Sequence, residues 1–195
     1  FVAGIGDAIS KKFEAAQCYS AGGDNFYSAK PPFIATHLAD LCYEVIRHYA
    51  QDAVRAVQAR RIDEAFERTV EATILLSGLA FENGGLSIPH SLTRGFSAVP
   101  KLASSLHGEQ VAFGLLVQLF MEDRPKEFLA DIYGFYREIG LPTCFADLGF
   151  TGDPREVIPV IARRTVEQGP YIRNFAKRID ARLIEAALEQ ANSFQ

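Results

Sequence analysis

The sequence of 195 residues contains no tryptophan, one methionine and only three cysteines. The cysteines, Cys18, Cys42 and Cys144, are odd in number, and their spacings match neither a zinc finger nor a CxxC redox motif. We therefore predict free thiols in a reducing compartment, which is typical of a cytoplasmic protein. No apolar run reaches the roughly 18 residues that a membrane span needs, and the first residues do not resemble a signal peptide.

Clustered positive charge is also absent. The formal net charge is −4, and the lysines and arginines are dispersed along the chain, which argues against a nucleic-acid surface. A glycine-rich βαβ fingerprint is missing too, because Gly4-Ile5-Gly6 is too short and no strand–helix–strand unit follows it. We therefore expect no dinucleotide site built from these residues alone. The chain opens on Phe1 instead of methionine, which favours a piece of a longer protein.

Helical periodicity is the main pattern that the sequence does contain. Beyond the opening segment, apolar residues recur at helical spacing and predict helices over 33–58, 62–81, 87–99, 108–121, 125–139, 154–168 and 178–193. We expect Ala72–Phe81 to be a fully buried helix end. Ser87 is expected to cap the next helix, because Pro89 fits only a first turn. With no alternating strand and no repeat, we predict one all-α domain of about eight helices over residues 1–195.

Two histidines and one aspartate are candidates for a metal site. His90 lies at the predicted start of a buried helix, His107 lies directly before another, and Asp7 stands among apolar neighbours. Histidine nitrogens and carboxylate oxygens are common zinc ligands, but spacing alone leaves alternatives open. The histidines can be hydrogen-bonded structural residues, and Asp7 can cap a helix or face its positive end. His37 and His48 lie on a charged amphipathic helix and are expected to have ordinary structural or surface roles.

Four segments, in order along the chain, together resemble one enzyme family. They are Val2–Ala8 followed by Phe13-Glu14-Ala15, then Glu71–Gly78 with Phe81–Leu86 and His90, then Leu106–Gly114, and finally Gly140–Thr143. They resemble the second domain of glycerol dehydrogenases in the iron-containing alcohol dehydrogenase superfamily. The resemblance implies the helical C-terminal half of a dehydroquinate synthase-like fold, with the N-terminal nucleotide-binding domain lying outside this chain.

The resemblance also implies a site and a reaction. In the family an aspartate and two histidines hold one divalent metal, usually zinc, and the matching positions here are Asp7, His90 and His107. Iron or another divalent metal is the alternative. Such a metal would polarise a hydroxyl of glycerol or a small polyol, and NAD would accept the hydride to leave a hydroxyketone. We expect no cofactor-binding residue in this chain, so the chain alone should be inactive. The complete enzyme is expected to be a homo-oligomer that acts in glycerol metabolism.

Two further residues are expected to contact the substrate. Phe81 aligns with an aromatic residue that should wall the pocket, although it can equally be plain core. Arg94 lies four residues after His90, so a regular helix would turn both toward the same side. A guanidinium there would favour a phosphorylated or acidic hydroxy substrate. The alternative for Arg94 is a salt bridge with a neighbouring helix.

Departures from the family pattern leave the substrate open. Lys11 stands where the iron-dependent branch has a further histidine, which favours the three-ligand zinc branch. Ser91–Gly95 replaces a second histidine and Asn-Gly, and Tyr171–Asn174 differs from the usual Ile-His-Asn. The alternatives are a sister enzyme of the same architecture, namely a glycerol-phosphate dehydrogenase, a hydroxyketone reductase or a dehydroquinate synthase-like lyase, and a non-enzymatic helical interaction module.

Overall fold

The structure, a computed structural model, describes residues 1–194, and within them it contains α-helices and no strand. The α-helices are α1 (Val2–Ser20), α2 (Phe33–Gln58), α3 (Glu64–Glu71), α4 (Ser77–Gly84), α5 (Ile88–Phe96), α6 (Pro100–Ala103), α7 (His107–Met121), α8 (Lys126–Ile139), α9 (Pro154–Gln168) and α10 (Ala181–Ser193). A π-helical segment, Ala72–Leu76, joins α3 to α4 without a break. The all-α prediction is confirmed.

Two predictions about the helix that follows Ser87 are wrong. Helix α5 ends at Phe96 instead of Val99, which has extended backbone (φ −112°, ψ 110°). The cause is Pro100, because its ring disfavours helical backbone in the residue before it. Ser87 does occupy the N-cap position, but its hydroxyl donates to the carbonyl oxygen of Asn174 at 2.7 Å and caps nothing. The orphan amides of α5 are therefore satisfied from elsewhere.

The continuous helical run from α3 through α4 is less buried than predicted. Asp63 caps its start by accepting a hydrogen bond from the amide of Phe66 at 3.0 Å. It ends at Gly85, whose φ of 82° lies in the left-handed region that glycine adopts without strain. Ile74 and Leu75 are 72% and 53% exposed, so the expectation of a fully buried segment is wrong. An apolar run cannot by itself show which surface it faces.

Helix α7 lies in the core and packs against α1, α5 and α10. Its contact with α1 is close because glycines stand on both sides. A methyl group at Gly6 would lie 2.7 Å from the carbonyl oxygen of Gly108, and one at Gly108 would overlap the carbonyl oxygen of Ala3. The two glycines directly precede and follow Asp7 and His107, respectively. The close helix contact therefore brings those two side chains together.

The structure agrees with the predictions of free cysteines and of two surface histidines. Cys18 and Cys42 are buried free thiols, and Cys144 is a partly buried one. Burial raises the pKa of the Cys42 thiol to about 12, so it stays protonated and unreactive. His37 and His48 are exposed on α2, as expected. None of the helices formed by residues 1–194 has the length and apolar character that a membrane crossing requires.

Candidate metal centre

Three side chains from three helices converge at one place in the fold. Asp7 belongs to α1, His90 to α5, and His107 is the first residue of α7. Each offers one ligand atom, and these atoms all lie within 4.8 Å of one another. Asp7 Oδ1 is 3.2 Å from His90 Nε2, and the centres of the two imidazole rings are 5.4 Å apart. The structure thus brings together the three residues that the family resemblance singled out.

Asp7 does not cap a helix. Helix α1 begins at Val2, so Asp7 lies inside it, whereas a capping residue has extended backbone just before the first turn. Its carboxylate instead accepts a hydrogen bond from Lys11 Nζ at 2.7 Å. Lys11 Nζ also donates to the backbone carbonyl of Asp7 at 2.8 Å. The capping alternative is therefore wrong, and Asp7 presents its carboxylate to His90 and Lys11.

Lys11 neutralises Asp7 without taking the place of a ligand. Its side chain is only 3% exposed, and a charged ammonium group offers donors but no lone pair. Both Lys11 and His90 contact the same oxygen, Asp7 Oδ1. In the part of the chain that the structure describes, no hydrogen bond reaches Asp7 Oδ2. That oxygen stays available for a further positive partner.

Glu14 is the residue that sequence reasoning missed. It is completely buried, one helical turn beyond Ser10 on α1. Its Oε2 lies 2.8 Å from His90 Nδ1 and accepts a hydrogen bond from the Ser10 hydroxyl at 2.8 Å. Its Oε1 accepts one from the amide of Ser87 at 2.9 Å. Glu14 therefore accepts a hydrogen bond from the backbone at the start of α5, and it holds the His90 ring so that Nε2 faces Asp7.

Burial and the charges of the centre shift the pKa values of its two carboxyl groups and its two histidines. Burial alone would raise the pKa of both Asp7 and Glu14, but Lys11 and His90 outweigh it and lower both. Burial would lower the pKa of His90, but Glu14 above all outweighs it and raises that pKa. Burial and the neighbouring His90 lower the pKa of His107. His90 is therefore protonated more readily than an ordinary histidine, and its protonated ring donates one N–H to Glu14 and the other to Asp7. His107 stays neutral near pH 7.

The centre opens into a cavity of about 510 Å³, a size typical of small-molecule sites. The cavity is lined by the three candidate ligands and Lys11, by the aromatic side chain of Phe81, and by the hydroxyl-bearing side chains of Thr73, Ser77, Thr93 and Tyr171. It therefore combines an apolar wall with several hydrogen-bonding groups. Such a lining suits a small polar molecule with more than one hydroxyl group.

Arg94 also lines this cavity, on the same helix as His90. It takes part in none of the ion pairs formed within residues 1–194. The alternative of a salt bridge with a neighbouring helix is therefore wrong. Arg94 therefore adds to the cavity a positive charge that forms no ion pair within residues 1–194.

The chain resembles known proteins closely enough to place it in a family. No family model matches it. The glycerol dehydrogenase of Thermotoga maritima is 35% identical over 193 residues, covering 99% of this chain and 53% of that protein. A probable glycerol dehydrogenase from Sinorhizobium meliloti 1021 has a crystal structure that matches with a TM-score of 0.94 at 34% identity, covering 98% of this chain and 54% of that one. The chain belongs to the glycerol dehydrogenase family.

More distant structures share the fold of this family member. An iron-containing alcohol dehydrogenase from Thermococcus thioreducens matches with a TM-score of 0.70 at 14% identity, covering 98% of this chain and 50% of that one. The predicted iron-containing alcohol dehydrogenase fold is therefore confirmed. The chain spans about half the length of the relatives that it matches.

Two members of the site carried some signal in the sequence. Glu14 lies seven residues after Asp7, so two helical turns place both on one face of α1. It also stood in the matched run Phe13-Glu14-Ala15, but a matched run assigns no contact. Tyr171 appeared only as a departure from the family pattern, and its place beside the cavity depends on how the segment between α9 and α10 returns to α5.

Proposed function

We propose that this chain supplies the metal and substrate site of an enzyme that oxidises glycerol, or a related small polyol, to the hydroxyketone with NAD as the hydride acceptor. The observation that carries the proposal is the convergence of Asp7, His90 and His107 on one cavity in a member of the glycerol dehydrogenase family. We propose zinc as the metal, held by these three residues.

The donor set fits zinc. Two imidazoles and one carboxylate are typical ligands of catalytic zinc, with the fourth position open. Ligand atoms bound to one tetrahedral zinc at about 2.0–2.2 Å lie about 3.4 Å apart. The separation of 3.2 Å between Asp7 Oδ1 and His90 Nε2 meets this condition, and the free Asp7 Oδ2 offers a second choice. A neutral His107 has a lone pair to give.

The chain's own residues would then bind and orient the substrate. A zinc ion held here would supply Lewis-acid chemistry to a hydroxyl in the open position. Phe81 would cover one side of a short carbon chain and exclude water. The hydroxyls of Thr73 and Thr93 already donate to backbone carbonyls, so their oxygens would accept hydrogen bonds from the remaining hydroxyls of a polyol. The Ser77 hydroxyl would accept or donate. Lys11 would keep Asp7 ionised, because it lowers the pKa of that carboxyl.

We also propose that a second, N-terminal nucleotide-binding domain supplies NAD. The relatives are about twice as long as this chain, and residues 1–194 contain no strand from which a dinucleotide-binding fold could be built. Ile74 at the cavity exposes 72% of its surface, an apolar area that such a domain or its cofactor would cover. A cytoplasmic location, a homo-oligomeric state and inactivity of this chain alone stay predictions.

Activity measurements on the complete enzyme, with this chain joined to a nucleotide-binding domain, test the proposal. We expect glycerol oxidation with NAD, and a loss of at least about one hundredfold in Asp7→Asn, since changes around metal ligands already cost 10–100-fold. Asp40→Asn is the matched control, because Asp40 pairs with Lys12 away from the cavity. Full activity in Asp7→Asn, or steady NAD-dependent turnover by the isolated chain, would contradict the proposal.

One observation favours a second candidate function. The unpaired Arg94 lines the cavity, where Lys11 already balances Asp7. A zinc ion bound there would leave the cavity with excess positive charge, which an anionic group on the substrate would compensate. The second candidate is therefore a sister enzyme that acts on a phosphorylated or acidic hydroxy substrate, or in the opposite direction on the corresponding hydroxyketone.

A further inference from the structure

Glu14 is an ionised carboxylate that no solvent reaches. Its side chain is 0% exposed, and burial of an unpartnered charge would cost several kcal/mol. It is instead surrounded by donors: the Ser10 hydroxyl, the Ser87 amide and His90 Nδ1, with the His90 amide at 3.4 Å. These partners come from α1 itself and from the first turn of α5. These hydrogen bonds offset the cost of burying the charge and hold the Glu14 carboxylate in one orientation.

We propose that Glu14 is the positioning residue of the metal centre, which fixes both the tautomer and the direction of the His90 ring. This inference rests on the proposed metal site. A carboxylate can only accept, so the contact of 2.8 Å requires the proton to sit on His90 Nδ1. Nε2 is then the nitrogen left for the metal, and it is the one that faces Asp7 at 3.2 Å.

The same carboxylate also ties the two helices together. By accepting from the amide of His90 at 3.4 Å, in addition to that of Ser87 at 2.9 Å, Glu14 performs the capping task that the Ser87 hydroxyl leaves undone. Glu14 and Asp7 both belong to α1, so this one helix positions the start of α5 and the His90 ring relative to Asp7. Ser10 holds the Glu14 carboxylate from the opposite side, at 2.8 Å. A shift of this one side chain would change the separation of two candidate ligands.

Glu14→Gln separates the positioning role from packing. The amide has nearly the shape of the carboxylate, and its oxygen can still accept from Ser87. With that oxygen on Ser87, the NH₂ group takes the place of Oε2, the nearer of the two carboxylate oxygens, which lie 2.8 and 3.0 Å from His90 Nδ1. A donor at this place favours the tautomer with the ring proton on Nε2, which blocks the metal. We expect the Zn²⁺ affinity of the chain to fall about 10- to 100-fold, the usual effect of losing an outer-shell partner. Competition with a chromophoric chelator measures it.

Glu109→Gln is the matched control. Glu109 accepts a hydrogen bond from the amide of Leu106 at 2.9 Å and so caps α7, the helix that begins with His107. It therefore caps a ligand-bearing helix as Glu14 does, but its hydrogen bond goes to the backbone and not to an imidazole ring. We expect unchanged Zn²⁺ affinity in this variant. An equal loss in both variants would reduce Glu14 to a structural cap and overturn the proposal.

A second measurement keeps the proposal testable if Glu14→Gln does not fold. In the unmodified chain loaded with Zn²⁺, nitrogen-15 spectra should show His90 bound through Nε2, with a proton on Nδ1. Metal on Nδ1, or a proton-free Nδ1, would overturn the positioning role. Unchanged Zn²⁺ affinity in a folded Glu14→Gln would overturn it too and leave the proposed function standing. An unmodified chain that binds no Zn²⁺ would overturn both.

Discussion

The two sides of the cavity differ in how their charges are satisfied. On the inner side, defined here as Asp7, Lys11, Glu14 and His90, each charged group contacts a partner, and Lys11 and Glu14 are buried. On the outer side, defined as Ile74, Phe81 and Arg94, the cation has no ion pair within residues 1–194 and Ile74 is largely exposed. The contacts of the inner side hold its groups in place, as the proposed metal site requires, whereas the outer side leaves a cation and an apolar side chain for the proposed substrate and cofactor.

This difference predicts that changes on the outer side alter substrate choice without affecting the metal. We expect Arg94→Asn in the complete enzyme to lower kcat/KM for a phosphorylated or acidic hydroxy substrate relative to glycerol. A charge-assisted contact is worth about 1.5–3 kcal/mol, which corresponds to roughly 10- to 150-fold in that ratio. Zn²⁺ affinity should not fall, because within residues 1–194 the Arg94 side chain forms no hydrogen bond or ion pair with the inner side.

The control for Arg94→Asn is Arg163→Asn. Arg163 is an exposed arginine on α9 and does not line the cavity, so it reports the effect of removing one positive charge. If the substrate ratio stays the same in Arg94→Asn, the second candidate function is wrong and plain polyol chemistry stands. If Arg163→Asn shifts the ratio equally, the effect is long-range and not a contact.

The inner side should respond to pH through His90. Burial lowers the pKa of His90, but the contact with Glu14 and the hydrogen bond with Asp7 outweigh it, so the pKa is raised. Zn²⁺ can bind Nε2 only after a proton leaves the ring, so below that pKa its affinity should rise about tenfold per pH unit and then level off. The rise should continue above about pH 6.5, where an ordinary histidine is half titrated.

Zn²⁺ titrations from about pH 6 to pH 9, a range that spans the ordinary histidine pKa, check this dependence with a chelator of known proton affinity. An affinity that levels off already below the ordinary histidine pKa would contradict the raised pKa. The contrast between the two sides would then fail, because Glu14 and Asp7 would stabilise protonated His90 no better than water does.

Much of the fold could be predicted from the sequence. The apolar stripes of α2 and α9 specify their bounds, 33–58 and 154–168, because a helix that packs on one side repeats every 3.6 residues. The end of α5 at Phe96 was missed, although Pro100 carried the signal. The exposure of Ile74 and Leu75 could not be predicted, because an apolar composition does not name its partner.

The candidate site was predictable only in part. Asp7, His90 and His107 came from matched motifs, and the glycines beside Asp7 and His107 explain physically how they meet. Glu14 was missed because its role depends on a contact with a ring 76 positions away in the chain. Sequence spacing within α1 places it on the face of Asp7, but it cannot show what packs there.

The location of bound zinc tests the central claim most directly. Crystals of the Zn²⁺-loaded chain, measured on both sides of the zinc absorption edge, should show one zinc ion bound by Asp7, His90 Nε2 and His107. The metal–ligand distances should be about 2.0–2.2 Å. The same measurement on Asp7→Asn should show the zinc lost or greatly reduced. An anomalous peak elsewhere, or no peak between these three residues in the unmodified chain, would contradict the account.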